Sequence, residues 1–255
     1  MLDKQVDDLI RQGPSRQAAS KISGPDHGQS LARASPGLAA NAEMPEKQVM
    51  PGDPLTRDRP IVKGRAALLI VDVQNGTFGP AQAKSMPEFQ ALASARVIPN
   101  ISRLLEAFRR ARLEVIYTVI ENLTQDGRDR SLDYKLSGFN IAKGSWEARV
   151  LDDIAPQGDE ILLPKTSSSP FNSTNLDYLL GNIGIEDVFV VGFLTDQCID
   201  HVVKDGADRG YFMTCVHDAC AAETEARHDA ALQCFKGYCR MLTTDEVLRL
   251  TREAQ

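Results

Sequence analysis

Three side chains stand where apolar runs stop, and each type is suited to chemistry. Asp72 closes the run in LLIVDVQN. A carboxylate there is either paired or reactive, or it caps local backbone N–H groups. Lys165 closes ILLPK. Alone it reads as a lysine whose ammonium reaches solvent. Beside a buried aspartate it becomes a charge partner and a donor toward developing negative charge. Cys198 lies in GFLTDQCID, where the first turn of a helix is expected to begin. Free N–H groups and the helix dipole favour thiolate there. The alternative is a small buried hydrophobe. The other four cysteines, 215, 220, 234 and 239, read as structural. Five cysteines without a CxxC suit neither a disulfide framework nor a zinc site, and reduced thiols in a cytoplasm are expected.

The elements that must position these residues follow from periodicity. RAALLIVDV reads as a strand buried on both faces. VIPNISRLLEAFRRARL is amphipathic at helical spacing, with Ile101, Leu104, Leu105 and Phe108 on one face. Further strands are expected at EVIYTVIE, DEILLPK, DVFVVGF and YFMTCVHDA. Helices are expected at NSTNLDYLLGNIG, stopped by Gly184, at DQCIDHVVKDGADRG and at EARHDAALQCFKGYC. The final helix opens with a capping pattern, Thr243 to Glu246. Strands alternating with helices predict an α/β fold with a mostly parallel sheet and helices on both faces. Chemistry then gathers at the carboxyl ends of the strands, which nominates Asp72–Phe78, Pro164–Asn172 and Gly192–Cys198.

Residues 1–60 have a different texture. They contain no aromatic residue and seven of the 13 prolines. Such a segment buries too little apolar area to offset its ordering entropy, so a flexible extension is expected ahead of a domain over 61–255. An arm packing on a partner is the alternative. The first residues lack the apolar segment of a secretory signal. The net charge of −6 argues against nucleic-acid binding, and no apolar run is long enough for a membrane span.

Asp72 in LLIVDVQN, Lys165 in LLPK and Cys198 in VVGFLTDQC, in this order, resemble the Asp–Lys–Cys triad of the isochorismatase-like cysteine hydrolases. The resemblance spans about Arg65 to Leu250. It implies the isochorismatase-like three-layer fold with about six parallel strands. It implies that Asp72 takes the Cys198 proton, that the thiolate attacks a carbonyl, and that Lys165 keeps Asp72 ionised. Backbone N–H groups of Leu194 and Cys198 would form the oxyanion hole, and the Phe193–Leu194 peptide would be cis.

Within the family, zinc-type nicotinamidases carry an Asp-x-His pair and a further His after the second strand. ENLTQDGRDRSLDYKLSG has none, so neither metal nor organic cofactor is expected. Isochorismatases proper cleave a vinyl ether and do not need the cysteine. AKGSWEARVLDDIAPQGDEILLPK resembles the ureidoacrylate amidohydrolases, whereas VQNGTFGPAQAK and ENLTQDG depart from their patterns. The expected activity is hydrolysis of a C–N bond in a small ureido, carbamoyl or amide compound through an acyl- or carbamoyl-enzyme. The alternatives are a vinyl-ether or other small-amide hydrolase, or a silent scaffold binding a partner through its N-terminal arm. A homodimer or homotetramer is expected from the family.

Candidate substrate contacts are Gln74, Phe78, Glu121, Asn122, Trp146 and Phe171. Arg128, Arg130, Lys135 and Lys143, in the long polar stretch 122–145, either grip a substrate carboxylate or form a solvated charge run. His201, three residues after Cys198, offers a rival Cys–His dyad.

Overall fold

The structure, a computed structural model, describes residues 55–253. The expectation of a flexible extension falls mainly on residues outside that range. Within it, Arg59 pairs with Glu186 at 3.0 Å and lies 4.3 Å from the centre of the Phe212 ring.

Six strands form one parallel sheet: β1 (Ala66–Val71), β2 (Glu114–Ile120), β3 (Ile161–Lys165), β4 (Asp187–Phe193), β5 (Phe212–Ala221) and β6 (Arg240–Leu242), in the order β3-β2-β1-β4-β5-β6. β1 is wholly buried because alternate residues enter two different cores. Ala66, Leu68 and Ile70 pack with Ile101, Leu104, Leu105 and Phe108 of α3 (Ile98–Ala111) and Val247 of α9 (Thr244–Glu253). Ala67, Leu69 and Val71 pack with α6 (Leu176–Ile183), α7 (Asp200–Asp208) and α8 (Glu225–Phe235). Helices thus cover both faces of the sheet.

Gly184 ends α6 in the left-handed region, and Thr243 with Glu246 closes the capping box before α9. Three features lie beyond the sequence reading. β6 is too short to show a pattern. Two helices, α1 (Pro80–Ser85) and α2 (Pro87–Leu92), each open on a proline. The polar stretch after β2 holds α4 (Leu132–Leu136), capped by Ser131, whose hydroxyl accepts from Tyr134 N at 3.2 Å. Among the described residues no helix is long and apolar enough to cross a membrane.

The strand order positions the site. The chain runs outward from β1 through β2 to β3, then returns to lay β4 on the other side of β1. The crevice beyond the carboxyl ends of β1 and β4 is the topological switch point of the sheet. β1 and β4 approach closely at Gly192, at φ 118°, where any Cβ would run into the Val71 carbonyl.

Candidate active site

Asp72 is the first residue beyond β1 and adopts a left-handed conformation, φ 58°. Aspartate tolerates this region better than most residues. Its N–H donates to Thr118 O at 3.0 Å, and its carbonyl accepts from Thr77 Oγ1 at 2.5 Å. The turn points the carboxylate inward, where Oδ1 accepts from Thr118 Oγ1 at 3.0 Å. Lys165 Nζ reaches Asp72 Oδ2 at 2.9 Å, with both side chains at most 1% exposed. The same ammonium lies 3.4 Å from Cys198 Sγ, and donates to Ser167 O at 2.9 Å and to Tyr134 Oη at 3.3 Å.

Cys198 sits in a π-helical turn, Thr195–Ile199, between β4 and α7. The Phe193–Leu194 peptide is cis. The Leu194 carbonyl accepts from the N–H groups of Gln197 and Ile199 at 3.0 and 3.2 Å.

The electrostatics refine one expectation. Burial pushes the Cys198 thiol up to about 12, against the pull of Lys165. The resting sulfur is therefore a thiol rather than a helix-stabilised thiolate, because desolvation outweighs the helix terminus. Burial also raises Asp72, while Lys165 beside it lowers it. Burial acts against the Lys165 ammonium too, yet Asp72, Cys198 and Tyr134 hold its pKa above the ordinary lysine range. The result is an ion pair touching a neutral thiol.

Asp72 and Cys198 face a cavity of about 770 Å³, also lined by Phe193, Leu194, Tyr134 and His201. His201 does not reach the sulfur: its Nδ1 meets the Gln197 carbonyl at 2.9 Å. The six candidate substrate contacts lie elsewhere. Gln74 is fully buried and bonded to the backbone of Ile120 and Glu147. Phe78 stacks on Phe193 with ring centres 6.1 Å apart. Glu121 accepts from Gly144 N, and Asn122 donates to Asn140. Trp146 is half exposed, and Phe171 packs on Tyr211.

The basic residues of the long stretch are committed to local groups. Arg130 bonds to the carbonyls of Gly127 and Phe139, Lys135 to that of Arg128, Lys143 to that of Leu123, and Arg128 pairs with Asp126. The sequence reading missed Tyr134. It belongs to the small cluster of Ile120, Ile141 and Ala148, and its hydroxyl touches Lys165. The signal available was Ser131, a cap three residues before it. Among the described residues no group of three or more His, Cys, Asp or Glu side chains is arranged to hold a metal.

A doubly covered parallel sheet with an Asp–Lys pair and a thiol at its switch point matches the architecture of an α/β hydrolase class. The isochorismatase domain family matches residues 66–247. The ureidoacrylate amidohydrolase of Rhizobium rhizogenes is 28% identical over 71% of this chain and 81% of its own. A cysteine hydrolase from Pseudomonas syringae superposes with a TM-score of 0.69 at 27% identity, over 80% of this chain and 100% of its own. The N-carbamoylsarcosine amidase of Thermoplasma acidophilum gives 0.59 at 26% identity, over 71% and 97%. The chain belongs to the isochorismatase family of hydrolases.

Proposed function

We propose that this protein hydrolyses a C–N bond in a small ureido, carbamoyl or amide compound, with Cys198 as nucleophile. The observation that carries the reading is the buried Asp72–Lys165 pair, whose ammonium stands 3.4 Å from Cys198 Sγ on the cavity floor. The amidohydrolase and amidase activities named for two of the relatives support it.

The steps follow from proton balance. Asp72 accepts the Cys198 proton as sulfur attacks the carbonyl carbon. Lys165 remains protonated throughout, so the charge leaving Asp72 reappears on the substrate oxygen near a fixed cation. The N–H groups of Leu194 and Cys198 receive that oxygen. Collapse of the tetrahedral species breaks the C–N bond, and Asp72 returns the proton to the departing nitrogen. Water then attacks the acyl- or carbamoyl-cysteine, with Asp72 again taking a proton, and the thiol is restored. A carbamoyl group leaves as carbamate, which breaks down to carbon dioxide and ammonia.

The test is ammonia release from ureidoacrylate, N-carbamoyl amino acids, biuret, maleamate and nicotinamide, with wild type and Cys198→Ala side by side. Turnover by wild type alone, with a covalent adduct on Cys198 seen by mass spectrometry, is expected. Equal turnover by both proteins would remove the cysteine from the mechanism.

A further inference from the structure

Three hydroxyl groups on the cavity wall have a fixed polarity, whereas that of Tyr134, which accepts from Lys165, keeps its hydrogen. A hydroxyl carries one hydrogen and two lone pairs. Thr77 donates its hydrogen to the Asp72 carbonyl at 2.5 Å, Ser167 to the Ser169 carbonyl at 3.1 Å, and Ser169 to Asp205 Oδ2 at 2.5 Å. All three line the cavity, and each has only lone pairs left to offer a ligand. His201 likewise spends a hydrogen on the backbone, its Nδ1 facing the Gln197 carbonyl.

The charged groups on the wall agree. Asp133 stands exposed at the rim. Asp196 is held by Arg227, which is shared with Glu223, leaving two carboxylates around one guanidinium. Lys165 is paired with Asp72 beneath the floor. The cations of the 122–145 stretch bond to carbonyls and to Asp126, as described above.

We propose that the cavity selects a substrate whose non-reacting end is a neutral or cationic hydrogen-bond donor, such as a hydroxyl, amide or ammonium, and disfavours a carboxylate there. A carboxylate is an acceptor only. On this wall it would meet those lone pairs and the like charge of Asp133 and Asp196, with no lysine or arginine among the lining residues. The proposal rests on the hydrolase reading above and narrows it, departing from the anionic compound in the name of the Rhizobium relative.

The experiment has two arms. The first compares kcat/KM for three ureas of similar size: ureidoacetate (anion), 2-hydroxyethylurea (neutral) and 2-aminoethylurea (cation). The neutral or the cationic urea should exceed the anion by at least ~10-fold, the size of one net charge-assisted contact. The second arm needs no turnover. Cys198 is alkylated with neutral iodoacetamide and with anionic iodoacetate, and the rate ratio is compared with that at exposed Cys234. The ratio at Cys198 should be at least ~10-fold larger, and Asp133→Lys should shrink it several-fold.

Preference for ureidoacetate, or equal alkylation ratios at the two cysteines, overturns the proposal while leaving the hydrolase reading intact. Charge-selective alkylation with none of the ureas or amides hydrolysed does the reverse. Silence of Cys198 to both reagents, with no urea hydrolysed, overturns both.

Discussion

Cys198, in the turn that follows β4, and Cys215, inside the neighbouring strand β5, are both buried thiols, and both have raised pKa values. Their surroundings differ. Cys215 has Cys220 as its first neighbour, and the two sulfurs lie among apolar side chains. Cys198 has a carboxylate and an ammonium. Burial alone makes a thiol inert, because it penalises the thiolate without offering the proton a destination. A carboxylate in contact supplies the destination, and an ammonium keeps that carboxylate charged. On the proposed mechanism, reactivity is thus a property of the triad, and the cysteine by itself is ordinary.

The strongest way to break this comparison is to exchange the thiols' fates. Cys198→Ala should lower turnover by ~10⁴-fold or more, whereas Cys220→Ala should leave kcat within about threefold. Loss of activity in a folded Cys220→Ala would end the comparison. Asp72→Asn should cost ~10²–10⁴-fold in kcat. Because it leaves Lys165 buried without its partner, thermal unfolding should also shift downward, by ~3–5 kcal/mol of stability.

Lys165→Met sharpens the role of the ammonium through pH. Burial raises Asp72 above the ordinary carboxylate value of 3.8, and Lys165 pulls it back. Alkylation of Cys198 should therefore fall in acid, as Asp72 takes up its proton. Removing Lys165 raises Asp72 further, so this acid limb should move to higher pH. Cys239, pushed up to about 11 by burial, should show no such limb and simply quicken with rising pH. A limb that stays in place after Lys165→Met would mean that the ammonium does not tune Asp72. Tyr134→Phe removes one donor–acceptor contact with Lys165 and should lower kcat by ~5–10-fold. Cys215→Ser should leave kcat alone and cost ~1–3 kcal/mol of stability for a buried hydroxyl, read by denaturant unfolding.

The floor of the site was legible in the sequence because each of its members interrupts a pattern. Asp72 and Lys165 end apolar runs, and a charged residue in that position is conspicuous against a strand. The wall carried no such contrast. Tyr134 lies in a polar stretch without periodicity, and a five-residue helix, together with the bond from Ser131 N to Thr166 O, brings it over Lys165. Trp146 and Phe171 are aromatic residues outside the cavity lining, since nothing in a single sequence tells a pocket ring from a core ring or a surface one. The five strands with apolar runs were readable, and β6, with three half-buried residues, was not. The thiolate expected of Cys198 failed for a related reason. Burial is a property of the whole fold, whereas the helix terminus that argued for thiolate is local.

The strand order also bears on how the chain is made. As it leaves the ribosome, β1 can pair with β2 and β2 with β3, but the other edge of β1 waits for β4, about 115 residues later. At ~5–20 residues per second this leaves the most apolar strand of the sheet with one open edge for on the order of ten seconds. An uncovered edge of this kind invites pairing with a second nascent chain. The same return crossing that brings Cys198 to Asp72 therefore leaves this edge of β1 unpaired until β4 is made. It also means that a chain stopped between residues 165 and 198 holds the carboxylate and the ammonium without the sulfur.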